Sequence, residues 1–69
     1  MKHLGNDLTL YKHLEKVVVT NNQGDVIHGR VLASSIGWVI VGAAGMLTQR
    51  TIDNEDHRDL DWKVERDEA

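Results

Sequence analysis

Gln23-Gly24-Asp25-Val26-Ile27-His28-Gly29-Arg30-Val31 (QGDVIHGRV, residues 23–31) sets two glycines five positions apart around an alternating apolar run. Alternation puts Val26, His28 and Arg30 on one side of an extended chain and Ile27, Gly29 and Val31 on the other, as in a strand with one face in a core. Ahead of it, Asn21-Asn22-Gln23-Gly24 collects residues that tolerate positive φ, so the strand is entered through a hairpin turn. Gly29 is unexpected in an ordinary strand, where a missing side chain costs both packing and backbone entropy. It marks a point at which the strand bends too sharply to leave room for a side chain.

Outward from this stretch, the β-branched triplet Val17-Val18-Val19 predicts the preceding strand. Before it, Leu10, Tyr11, Leu14 and Val17 or Val18 recur at three- and four-residue spacing behind Asn6 or Asp7, a capping pair, which predicts a short amphipathic helix over about residues 6–16. After Ser34-Ser35, Ile36 to Val41 reads as a third strand with apolar residues on both faces, hence covered on two sides. The small residues Gly42-Ala43-Ala44-Gly45 form the next turn, Met46 to Ile52 a fourth strand, and Leu60, Trp62 and Val64 the inward positions of a fifth. Asp53 to Asp59 is a polar loop between them. The expected fold is therefore mainly β: one domain over residues 1–69, with a short N-terminal helix followed by a five-stranded, strongly bent antiparallel sheet over about residues 17–66 and a frayed C-terminus.

A chain of 69 residues without cysteine has a thin core and neither disulfides nor thiolate zinc sites to reinforce it, which leaves oligomerisation as the route to added stability. Its longest apolar stretch, Ile36 to Leu47, is interrupted by three glycines and is too short to span a bilayer. No charged-then-apolar leader precedes the predicted fold, so the expected location is the cytoplasm. The net charge of −3 is unevenly distributed: five bases face three acids through Ile52, and three bases face eight acids from Asp53 onward. A mildly basic body thus carries an acidic tail.

Gly24, Gly29 and Val31, with the helix-then-five-strands order, resemble the first motif of the Sm-like family, whose fold is a strongly bent sheet of the SH3-like small-barrel type. The resemblance covers Leu14 to Val41. It implies a homo-oligomer, with a ring as one form of it, and RNA as a partner. Where the family carries an acidic residue, an apolar or aromatic residue and a base-contacting asparagine, this chain has Ser35, Trp38 and Val39. The family's later arginine-glycine pair has no counterpart beyond Arg50 and the Asp53-Asn54 loop. The residues that imply the fold are present and those that imply a uridine pocket are not.

Other chemistry is sparse. His57-Arg58-Asp59-Leu60 copies the start of a kinase catalytic loop, but a chain this size has no glycine-rich phosphate loop, and Val64 stands where the metal-binding asparagine belongs. His3, His13, His28 and His57 lack the spacing that aligns metal ligands on one helix face. No serine, threonine or lysine has an evident base partner, so neither an enzyme nor a metal or cofactor is expected. Candidate ligand-binding residues are Trp38, which can stack a base or fill the core, His28 on the outward side of the bent strand, and the cations Arg30, Arg50, Lys12 and Lys16. Gly24 and Gly29 are structural.

The function expected from these features is that of a non-enzymatic homo-oligomer binding a macromolecule or a small nucleotide-like ligand between subunits. Two alternatives are an Sm-like RNA-binding protein and a protein inhibitor whose acidic tail mimics nucleic acid. Few basic side chains and a negative net charge favour a protein or small-ligand partner over RNA. The tail from Asp53 to Glu68 is expected to act as a tethered polyanion that competes for the basic surface.

Overall fold

The computed structural model describes residues 5–43, 45–53 and 60–67. Five strands, β1 (Lys16–Asn21), β2 (Val26–Ser34), β3 (Gly37–Gly42), β4 (Gly45–Thr48) and β5 (Trp62–Arg66), form one sheet in the order β4-β3-β2-β1-β5. Every pairing is antiparallel, as the alternation and the turns predict. The β1–β2 turn is organised by the Asn21 side chain, whose Oδ1 accepts from the backbone of Gln23 and Asp25, and Gly24 takes the positive φ of +87°. No helix among the described residues is long and apolar enough to cross a membrane.

The predicted helix over residues 6–16 is not present. The segment contains a 3-10 turn at Leu8–Leu10, capped by Asp7, which accepts from the Thr9 N–H. A second tight turn follows, in which Leu14 adopts a left-handed φ of 67°. The helical spacing is overridden because the backbone groups that would close helical turns bond to β2 instead: Leu14 N donates to the Val31 carbonyl, and Val31 N donates to that of Glu15. The fourth strand is also shorter than predicted. Thr48 ends it by accepting from Thr51 N, and Gln49–Ile52 forms a single helical turn, α1, that places Ile52 in the core.

The core gathers Leu8, Tyr11, Val17, Val19, Val31, Ile40, Ile52 and Val64, with Ile27, Trp38, Leu47 and Trp62 packed around it. Val64 of β5 belongs to this cluster and Leu47 of β4 packs against it, so both edge strands contribute to one core. Gly29 and Gly42 sit directly opposite each other on β2 and β3. A Cβ at Gly29 would lie 2.7 Å from the Val41 carbonyl oxygen and 2.9 Å from Ile40 Cγ2, and one at Gly42 would lie 2.9 Å from the His28 carbonyl oxygen. Gly29 thus has no room for a side chain, and the atoms that exclude one belong to β3.

The outer edge of β5 is occupied by side chains from the N-terminal segment. Residues 61 and 67 face β1, since Asn22 N donates to the Asp61 carbonyl and Asp67 N to that of Lys16; strand alternation therefore turns the backbone of Trp62 and Val64 outward. Asn6 meets both with one amide: its Nδ2 donates to the Trp62 carbonyl at 2.7 Å, and its Oδ1 accepts from Val64 N at 3.1 Å. The Tyr11 hydroxyl lies between the carbonyls of Val64 (3.0 Å) and Gly5 (2.8 Å). On the other side of the same segment Gln49 of α1 accepts from Leu8 N at 2.7 Å and donates to the Asn6 carbonyl at 2.8 Å. The segment is a clasp from β5 to the end of β4.

Two substitutions test this architecture. Asn6→Ala removes the two hydrogen bonds that the amide makes to β5 and is expected to lower unfolding free energy by about 1–3 kcal/mol in urea titrations. Asn6→Asp should cost at least as much, because a carboxylate cannot donate to the Trp62 carbonyl. Gly29→Val should destabilise by about 1–3 kcal/mol through overpacking; an unchanged melting temperature would show that β2 and β3 do not approach this closely.

Candidate functional site

Alternation along β1, β2 and β3 places Lys16, His28, Arg30 and Val41 on the face opposite the core, and the register makes Lys16 and Arg30, then Arg30 and Val41, cross-strand neighbours. These four residues line an open cleft of about 320 Å³ together with Val17, Ala43, Asp67 and the bare backbone of Gly29 and Gly42. Three of the six sequence-derived ligand candidates, Lys16, His28 and Arg30, therefore meet in one depression. Arg30 is held there by its own geometry: Nη1 donates to the Leu14 carbonyl at 2.9 Å. That carbonyl belongs to the left-handed residue that displaced the predicted helix, so the local backbone strain at Leu14 also orients a cation of the cleft.

The other candidates lie elsewhere. Trp38 points from β3 to the core side, is half-buried and packs against the central cluster. Lys12 sits exposed in the turn before β1, where its N–H donates to Glu15 Oε1 at 2.8 Å, and Arg50 sits exposed on α1; neither lines the cleft. His3, His57, Arg58, Asp59 and the larger part of the acidic loop and terminus fall outside the described residues. Among the described residues, no three histidine, aspartate or glutamate side chains are grouped to hold a metal ion.

The residue that sequence reasoning missed is Asp67. Taken as part of a frayed end, it is instead the continuation of β5: its N–H donates to the Lys16 carbonyl at 3.0 Å, and its Oδ2 stands 3.9 Å from His28 Nδ1. The signal was available, since the outward series Lys63, Glu65, Asp67 extends the alternation of Trp62 and Val64 by one more step. Glu65 and Arg66 pair with Val18 and Val17, so removing residues 65–69 would strip two of the five residues of β5 from the sheet.

Ahead of β1, Glu15 binds the Arg66 guanidinium. Its carboxyl is held below the ordinary range, first by the Lys12 backbone N–H and then, against the opposing effect of burial, by Arg66. No protein-family model matches this sequence, and no curated protein or solved structure is found to resemble it. The reading of the cleft accordingly rests on its chemistry.

The Glu15 shift has a definite sign. A carboxyl with a lower pKa in the folded than in the unfolded chain stabilises the fold above its unfolded value of about 4.3. That contribution is lost as pH falls through the lower, folded value. Glu15→Gln should therefore show a smaller loss of melting temperature between about pH 5 and pH 3 than the wild-type chain does.

Proposed function

We propose that the protein is a non-enzymatic binding module whose cleft takes an anionic, nucleotide-like small ligand, and that it works as a homo-oligomer. The observation that carries the reading is the convergence of Lys16, His28 and Arg30 on a depression whose middle is glycine backbone. The main chain of Gly29 and Gly42 is part of its lining, and three nitrogen-bearing side chains around it supply donors for phosphate oxygens. Val41, about two-fifths exposed, offers an apolar wall suited to the flat face of a base. A strongly bent sheet of the SH3-like small-barrel type, the architecture of the Sm-like family, is supported by the core that both edge strands share and by the clasp joining their edges.

Assembly is assigned to the β4 edge. Met46 is half-exposed there and, with Ile27, Gly45 and Leu47, lines a small apolar depression of about 90 Å³, whereas Asn6 and Tyr11 already occupy the β5 edge. An exposed edge strand with an apolar side chain is a template for pairing. A ring built by pairing β4 to the β5 of a neighbour would require the clasp to open.

The test is calorimetric titration of the protein with adenosine monophosphate and with a short single-stranded RNA at low salt, in samples whose subunit number is read by sedimentation. Expected are an oligomer at micromolar concentration and saturable nucleotide binding that Lys16→Ser weakens by about three- to tenfold, the scale of one charge-assisted contact. Binding that appears only with the oligonucleotide and steepens with its length would favour the RNA reading. Absence of binding to either ligand would overturn the cleft assignment.

A further inference from the structure

Asp67 lines the cationic cleft, with Oδ2 at 3.9 Å from His28 Nδ1. The two side chains differ in shelter: the imidazole is 70% exposed and the carboxylate 23%. The carboxylate therefore sits in the depression while the histidine stands at its rim. Its position is set by the main chain, through the hydrogen bond from Asp67 N to the carbonyl of Lys16, whose side chain is itself a wall of the cleft. The nitrogen-bearing side chains that line the cleft with it come from β1 (Lys16) and β2 (His28 and Arg30), while β3 and the turn after it contribute Val41, Gly42 and Ala43, none of them charged.

We infer that Asp67 is a built-in competitor of the cleft, a carboxylate that holds the place of a phosphate group and must give way or be neutralised when a phosphate monoester binds. The inference rests on the proposed reading of the cleft and adds the class of ligand and a means of setting its affinity. A carboxylate and a phosphate present similar oxygens to the same donors, but a phosphate monoester brings up to two negative charges and more acceptors. Because Asp67 is tethered, its effective concentration at the cleft is high, and it repels an incoming anion as well as occupying the site. It therefore filters ligands by charge: a singly charged carboxylate gains little over Asp67, and a phosphate monoester gains more. The contact is partly exposed, so salt weakens it.

The test compares wild type, Asp67→Asn and Asp67→Ser, each first shown to keep the wild-type circular dichroism spectrum, in titrations with inorganic phosphate, adenosine monophosphate and acetate at low and high salt. Both substitutions keep the backbone N–H that pairs with β1. Expected is an affinity for phosphate and for adenosine monophosphate higher by about three- to tenfold in both variants, an advantage that shrinks as salt rises. Similar gains for both ligands identify the phosphate as the recognised group, and a larger gain for the nucleotide adds a contact from its base. Unchanged or weaker binding in both variants, with wild type binding measurably, would overturn the competitor role and leave the cleft assignment standing. No binding by any of the three proteins would overturn both.

Discussion

An amide side chain that substitutes for a missing strand holds the arrangement together. Asn6 offers one donor and one acceptor at the spacing of a strand backbone, and it meets an acceptor and a donor on the outer edge of β5. Edge strands are a hazard because their unpaired groups recruit other chains. Satisfying them from within the chain stabilises β5 and directs intermolecular pairing away from it. Gln49 performs the complementary task at the far end of the same segment. The N-terminal residues are therefore a connector between the two ends of the sheet, and Leu8 and Tyr11 use that position to fill the middle of the core.

The facing glycines mark where β2 and β3 leave no room for a side chain on the core face. That core is thin, since a chain this short buries little surface. On the opposite face the backbone of the same two residues lines the cleft beside Lys16, His28 and Arg30. Core packing and a candidate binding surface meet at one pair of residues. Substitution there would affect fold and site together, whereas Lys16 and Asp67 line the cleft with side chains outside the core and allow the two to be separated.

The outward side chains of β1, β2 and β5 account for the electrostatics of the cleft. Strand alternation assembles Lys16, His28, Arg30 and Asp67 on one surface from three separate parts of the sequence, without any of them being close in the chain to all the others. The acidic C-terminal stretch, set against a basic body in composition, meets that body through an ordered strand. Of the stretch that the sequence presents as a tethered polyanion, Asp67 is one carboxylate held by its backbone bond to Lys16 of β1.

The amino-acid sequence by itself determined that the chain is mainly β, the approximate places of its five strands, the turn at Gly24 and the lack of room for a side chain at Gly29. Each of these follows from side-chain period or from the conformational freedom of one residue, and both are local properties. It also placed His28 and Arg30 on the outward side of β2. Only the tertiary structure decided that residues 6–16 would not be helical, because the competing hydrogen bonds come from β2, which begins ten residues after the predicted helix ends. Only the tertiary structure made Asn6 a partner of residues 62 and 64, turned Trp38 toward the core, and brought Asp67 to His28. Those outcomes depend on which backbone groups remain unsatisfied once the sheet has formed, and that is a property of the assembled edges, which no window of sequence contains.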